Sequence, residues 1–154
     1  MEARKQQYNF SLYASQYWGH HTRGSPEQNE DIQKTIFQLL ASEDKRNVIV
    51  QMKSFAECGS LQYPKNQNLF HVLAGFGLST ILRSALENRR TYFYLNDPCS
   101  VCSNTERLIE GKRSKSGSVW ARDAYGQTPL HEAAKHGEVE VVALLTPAEV
   151  GALL

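Results

Sequence analysis

Long apolar runs and a disulfide-rich cysteine pattern are both missing from this sequence. Of its 154 residues 41% are hydrophobic, yet the apolar runs, such as Val48–Val50, are far shorter than the ~20 residues that cross a membrane. The start of the chain does not lead into the apolar stretch of a signal peptide. Three cysteines are too few, and odd in number, for a secreted disulfide framework. We therefore expect a soluble cytoplasmic protein, with the nucleus as the alternative.

An excess of charge of one sign is also missing. The chain has 17 Lys and Arg against 16 Asp and Glu, a net charge of +1, so nothing in its overall charge attracts nucleic acid or an anionic membrane. No Gly-x-x-x-x-Gly-Lys-Ser/Thr loop occurs, because the segment 111–114 lacks the upstream glycine that lets backbone amides bind phosphate. The serines lack a nucleophile-elbow context, and no acidic pair suggests general acid and base roles. We expect no enzymatic activity, no cofactor and no small-molecule substrate.

The first 55 residues predict three amphipathic helices. One covers about residues 3–21, because apolar and aromatic residues recur there at three- and four-residue steps. Its stripe comprises Phe10, Tyr13, Ala14, Tyr17, Trp18 and His21. Ser25, followed by Pro26 and Gln28, predicts the N-cap of a second helix, and a third is expected over about 44–55. Their apolar faces are Ile32, Ile36, Leu39 and Leu40 for the second, and Val48, Ile49, Met52 and Phe55 for the third.

An internal similarity organises the rest of the chain. Residues 69–77 align with residues 129–137, with His, Ala and Gly at the same offsets. A stretch rich in turn formers precedes the first copy, and Pro64 within it bars continuation of a helix. We therefore predict a helical module at 1–58 and a repeat region at 66–154.

The second copy has turn, cap and stop signals at mutually consistent spacings. Gly126 can take the positive φ of a tight turn, Thr128 can cap a helix and Pro129 suits its first position. Small residues then allow two helices to pack closely, and Gly137 can end the first of them. The full set is Asp123, Gly126, Thr128, Pro129, Leu130, His131, Ala133, Ala134 and Gly137, followed by the apolar face Val141, Val142, Leu144 and Leu145. This segment resembles the ankyrin repeat, which implies a hydrogen bond between His131 and the Thr128 hydroxyl.

The first copy departs from the ankyrin pattern, since Asn68 replaces the threonine and Leu73 stands where the first small alanine belongs. We expect a degenerate repeat at about 66–90 and a consensus repeat at about 121–147. Adjacent ankyrin repeats lie about 33 residues apart, so about 27 extra residues separate these copies. They are an insertion or one decayed unit, and the lack of an apolar period favours a long loop, with at most a short hairpin, at about 91–120. The fold class is all-α: a short helical module followed by ankyrin-type helix-turn-helix repeats, a partial α-solenoid.

Three motifs in the predicted insertion invite other interpretations. Cys99 and Cys102 could share a metal or form a redox pair, but no further ligand pair lies at a suitable spacing, so we expect a loop without metal. The basic run 112–115 could be a localisation signal or a contact for an acidic partner, and a solvated loop is favoured. The aromatic run 92–94 could bind RNA, although a strand or hairpin packed on the repeats is favoured.

The ankyrin resemblance implies a protein-interaction module or adaptor with a protein partner. In that family the hairpin tip and the outward side of the first helix face a concave groove. The matching positions here are Ala124, Tyr125, Gln127, Lys135 and His136. The N-terminal part, with 12–21 as its most similar segment, resembles the helical junction that precedes the ankyrin array in fungal NACHT-type signalling proteins. It implies an alternative, in which the chain is a non-catalytic fragment of a nucleotide-dependent switch whose helices transmit a conformational change.

Overall fold

A computed structural model describes residues 2–59, 62–87 and 119–150, with the side chains of 10–59, 62–87 and 119–146. These residues form seven α-helices and one 3-10 turn, and no β-strand occurs among them. The helices are α1 (Glu2–Thr22), α2 (Glu30–Ala41), α3 (Glu43–Cys58), α4 (Leu69–Gly75), α5 (Ser79–Glu87), α6 (Pro129–His136) and α7 (Val139–Val150), and the 3-10 turn is Ser25–Gln28. The predicted all-α class is confirmed.

The start of the second helix differs from the prediction. Ser25 does not cap it, because Ser25–Gln28 forms a separate 3-10 turn that the Asn29 amide closes on the Pro26 carbonyl at 3.1 Å. Helix α2 begins at Glu30, where the Asn29 carboxamide oxygen accepts hydrogen bonds from the next two free amides, at 2.9 and 3.2 Å. Asn29 therefore satisfies the amides that a helix start leaves unpaired.

The aromatic stripe of α1 is largely not its buried face. Phe10 is 78% exposed, and Tyr13 and Tyr17 are exposed as well. The packed side is formed by Gly19, which is buried, and by Trp18, whose ring lies 4.7 Å from that of Phe76. A Cβ atom on Gly19 would come within 2.5 Å of the Phe76 ring. Glycine is therefore what lets α1 approach α4 this closely.

Helices α2 and α3 add apolar side chains to the core of the repeat region. The buried residues of α2 are Ile36, Phe37 and Leu40, so its predicted face is right in part. In α3 the buried residue is Val50, whereas Val48 and Phe55, which the periodicity placed on the apolar face, are exposed. These side chains join one core with the apolar residues of α4, α5 and α7.

The two predicted repeat copies are direct neighbours in space. Helix α4 packs against α6, and α5 packs against α7. Two hydrogen bonds cross between them: His71 Nε2 donates to the Gln127 carbonyl at 3.0 Å, and the Ala124 amide donates to the Lys65 carbonyl at 2.8 Å. The two helix pairs are therefore in direct contact, and the interpretation of the additional residues as an insertion stays a prediction.

The predicted insertion at about 91–120 falls mostly outside the described residues, which resume at 119. Its predicted loop or hairpin therefore stays a prediction, as do the interpretations of Cys99, Cys102, the aromatic run 92–94 and the basic run 112–115. The domain limits at 58 and 66 also stay predictions.

The two copies repeat the same backbone geometry at an offset of 60 residues. Gly77 and Gly137 follow the first helix of each pair with φ of 67° and 71°. In the turn before each pair, Asn66 has φ 65° where Gly126 has φ 75°. Asparagine tolerates this left-handed conformation better than most side chains do. The first copy therefore shares these two backbone conformations with the second, and its assignment as a degenerate ankyrin repeat stays a prediction.

A buried carboxylate from the 3-10 turn caps helix α5. Glu27 is 3% exposed, and its Oε2 accepts hydrogen bonds from the amides of Thr80 at 2.8 Å and Ile81 at 3.3 Å. A negative charge at a helix N-terminus satisfies free amides and interacts favourably with the helix dipole. Glu27 therefore connects the N-terminal segment to the first helix pair.

Replacing Glu27 by alanine is expected to lower the free energy of unfolding by about 2 kcal/mol, because two amides at the start of α5, one of them buried, lose their acceptor. Urea denaturation followed by circular dichroism measures this loss. The matched control is Glu30→Ala, an exposed glutamate at the start of α2, with an expected loss of about 0.5 kcal/mol. Equal losses in the two variants would contradict the capping role.

Candidate interaction surface

Asp123 organises the turn before α6. It is buried, and its Oδ1 accepts hydrogen bonds from the amides of Tyr125 and Gln127, each at 2.9 Å. Its own amide donates to the Gln127 carbonyl at 2.9 Å, which closes the turn. An aspartate that bonds the backbone two and four residues ahead holds a tight turn in one conformation. The tip residues are therefore presented on a fixed backbone.

The tip of this turn is open to solvent. Tyr125 is 59% exposed and Ala124 is exposed. Both line an open depression together with Gln62, Tyr63 and Lys65 of the preceding turn. An aromatic side chain thus stands beside a lysine on the same surface.

The start of α6 is held by a local side-chain pair. The Thr128 hydroxyl lies 2.9 Å from His131 Nδ1, and the Thr128 amide donates to the same nitrogen at 3.3 Å. In the first copy the Asn68 amide donates to His71 Nδ1 at 3.2 Å. Of the predicted framework residues, Asp123, Thr128, Pro129 and Ala133 are buried, Gly126 and Leu130 are half-buried, and His131, Ala134 and Gly137 are exposed.

The structure divides the five predicted binding residues into two groups. Ala124, Tyr125 and Lys135 are exposed. Gln127 is half-buried, and its carbonyl accepts the bonds from Asp123 and His71. His136 is also half-buried, and its Nε2 lies 3.4 Å from Lys53 Nζ of α3 and 3.6 Å from a Glu132 oxygen. The accessible part of the predicted surface therefore consists of the turn tip and Lys135.

Lys53 of α3 lies beside the predicted residue His136, a contact that the sequence did not indicate. Its side chain is only 16% exposed, and its Nζ donates to the Gly75 carbonyl at 2.9 Å and lies 4.3 Å from the centre of the Phe76 ring. Burial lowers the pKa of Lys53, and the carboxylates of Glu57 and Glu132 act in the opposite direction. The sequence held one indication of this position. Lys53 follows Ile49 by one helical turn, so its side chain continues the apolar stripe of α3.

Glu132 is the acidic counterpart of Lys53 in α6. It is buried, and Gln67 Nε2 donates to its Oε1 at 3.1 Å. Burial alone would raise its pKa, but the hydrogen bond from His136 and the nearby charges of Lys135 and Lys53 bring the pKa of Glu132 below its usual value. A charged carboxylate is thus held beneath the side of α6 that faces α3.

One comparison with known proteins gives a match. Residues 125–153 match the family model of the ankyrin repeat, which supports the interpretation of the chain as an ankyrin-repeat protein. Neither the curated proteins nor the solved structures gave a match. The ankyrin repeat suggests a protein-interaction module in general terms. The NACHT junction resemblance, and the switch function drawn from it, gain no support from these comparisons.

Two features of the described residues concern membranes and metal ions. No helix in 2–59, 62–87 and 119–150 is both long and apolar enough to cross a membrane. Within the same ranges, no group of three or more His, Cys, Asp or Glu side chains is arranged to hold a metal ion.

Proposed function

We propose that the chain is a non-catalytic adaptor that binds a protein partner in the cytoplasm or nucleus through the tip of the 123–127 turn and the exposed side of α6. The observation that carries this proposal is the exposed ring of Tyr125 on a turn that Asp123 holds in place. A tyrosine buries a large area on binding while its hydroxyl stays hydrogen-bonded, and a fixed backbone reduces the entropy lost.

The neighbouring residues give this surface its character. Ala124 leaves room for a partner backbone, and Lys135 adds a positive charge at the far end of α6. The buried framework residues, such as Thr128 and Ala133, hold the turn and helix and are not available for contact. Gln127 and His136 have contacts within the chain. Gln127 contributes to binding mainly by fixing the backbone of the turn, and His136 mainly through its contact with Lys53 of α3.

The proposal predicts that Tyr125→Ala weakens partner binding by about 2 kcal/mol, as expected for an aromatic anchor, without a change in melting temperature. The partner is first captured with the immobilised 154-residue chain, identified by mass spectrometry and purified. Calorimetric titration then compares the wild type with Tyr125→Ala and with the Tyr125→Ala/Lys135→Ala double variant, which should bind more weakly still.

The matched control is Phe10→Ala, because Phe10 is an exposed aromatic residue on α1, outside the proposed surface. It should leave the affinity unchanged. Undiminished affinity in a folded double variant would remove the turn tip from consideration, and a loss in Phe10→Ala would direct attention to α1.

A further inference from the structure

The turns that precede the two helix pairs lie side by side. The Ala124 amide of the second turn donates to the Lys65 carbonyl of the first at 2.8 Å. An open depression of about 410 Å³ is shared by the two turns, and we call it the inter-turn depression. Its lining residues are Gln62, Tyr63, Lys65, Ala124 and Tyr125. A ligand in this depression would contact both copies at once.

Two tyrosines give the inter-turn depression its apolar character. Tyr63 is half-buried and packs against the hydrophobic core, which restricts its ring, whereas Tyr125 is exposed on the turn that Asp123 holds. Ala124 adds only a methyl group, so space for a side chain from outside remains. Aromatic rings held in this way are suited to the burial of one apolar or aromatic side chain of a partner.

Two exposed cations lie beside the tyrosines. Lys65 lines the inter-turn depression itself. Arg122 donates one N–H to the Gly126 carbonyl at 2.9 Å, which places its guanidinium against the tip of the second turn. Within the described residues neither cation forms an ion pair. The remaining N–H groups of Arg122 are suited to a carboxylate, which a guanidinium can bind through two parallel hydrogen bonds.

The two turns have no exposed carboxylate that offsets this positive charge. Their segments, 62–68 and 119–128, contain one acidic residue, Asp123. It is buried, and its Oδ1 accepts hydrogen bonds from the amides of Tyr125 and Gln127. The exposed charge at the turns is therefore positive, although the net charge of the whole chain is only +1. Such a surface complements a negatively charged partner.

We propose that the inter-turn depression binds an acidic segment of the partner protein. One apolar or aromatic side chain of that segment enters between Tyr63 and Tyr125, and carboxylates next to it pair with Lys65 and Arg122. This inference rests on the proposed adaptor function and gives the chemistry of its partner. Nucleic acid is the less suitable occupant, because its binding depends on neutralising many phosphates and the two turns offer two cations.

The experiment selects ligands for the immobilised 154-residue chain from a phage library of random twelve-residue peptides. We expect the recovered peptides to contain Asp and Glu at about twice their frequency in the library, next to an apolar or aromatic residue. Fluorescence anisotropy then measures the affinity of a recovered peptide. It should be at least tenfold weaker for Lys65→Glu/Arg122→Glu than for the wild type, and it should fall as salt is added.

The matched control is Lys34→Glu/Arg83→Glu, which makes the same change of charge at exposed positions of α2 and α5. It should bind the peptide within about twofold of the wild type. Arg122→Lys keeps the charge and should also retain most of the affinity, which separates the charge of Arg122 from its hydrogen bond to the turn. Circular dichroism checks folding, and if the charge-reversed double variant does not fold, Lys65→Glu alone is tested, with an expected loss of about threefold.

Three results would overturn the inference: a selection that yields no peptide or no excess of Asp and Glu, equal affinity of the wild type and the charge-reversed variant, or tighter binding of a twelve-nucleotide single-stranded RNA than of the peptide. Any of them would still allow an adaptor that binds an uncharged partner segment through Tyr125. Titration of the captured partner against Tyr125→Ala tests that function separately, so the two failures are distinguishable.

Discussion

Replacing His71 by alanine is expected to lower the free energy of unfolding by about 3 kcal/mol, since a buried polar network and its packing are lost together. His71 is 1% exposed. Its Nε2 donates to the Gln127 carbonyl of the second copy, and its Nδ1 accepts from the Asn68 amide. Urea denaturation of both proteins at pH 7.5 measures the difference.

His131 provides a control within the same molecule. It occupies the equivalent position in the second copy and pairs with Thr128 in the same manner, but it is exposed. Since His131→Ala removes only the local cap, its expected cost is about 1 kcal/mol. Equal costs at the two positions would show that the contact between the copies contributes little.

The pH dependence of stability gives a second test with the same two variants, His71→Ala and His131→Ala. Burial lowers the pKa of His71, with the Gln127 bond and nearby carboxylates acting in the opposite direction. Between the lowered value and the ordinary value of about 6.5, the unfolded chain binds more protons than the folded chain, so stability falls as the pH falls. The wild type should therefore lose stability from pH 7 to pH 5 more steeply than His71→Ala does, while His131→Ala should keep the steep dependence.

Removal of residues 1–58 is expected to abolish cooperative thermal unfolding of the remaining chain. A solenoid buries its core through contacts between neighbouring units and usually needs three or more of them, and two helix pairs are described here. The N-terminal helices complete this core with Ile36, Leu40 and Val50. Arg23 also joins the two pairs, because it donates to the Phe76 carbonyl at 2.8 Å and forms an ion pair with Glu138. Circular dichroism of residues 59–154 on heating measures the transition.

A single substitution separates the packing of α1 from the effect of deletion. In Gly19→Ala the new Cβ would clash with the Phe76 ring, and we expect a loss of about 2 kcal/mol despite the better helix propensity of alanine. At Gly75 a Cβ would make an ordinary contact, 3.4 Å from Lys53 Nζ, so Gly75→Ala should be close to neutral.

For the deletion of residues 1–58, a sharp, unshifted thermal transition in the truncated protein would contradict the capping role of the first three helices.

The sequence by itself determined the second repeat and the existence of the N-terminal helices. The turn at Gly126, the cap at Thr128 and the stop at Gly137 each depend on φ angles and on hydrogen bonds between residues at most four apart. Such local signals can be recognised in the sequence without knowledge of which other helices pack nearby. The periodicity of α1 and α3 was likewise sufficient to predict that these helices form, because it is also a local signal. Both helices extend slightly beyond their predicted limits.

Only the tertiary structure decided which side of each helix is buried and which residues meet across the chain. The aromatic stripe of α1 is largely exposed because the close approach at Gly19 turns the opposite side toward Phe76. The caps and pairs formed by Glu27 and Lys53 join residues 22 to 83 positions apart. A helical period indicates that a helix has an apolar side, but the neighbours it meets determine which side becomes buried, and those neighbours are positioned by the folded chain as a whole.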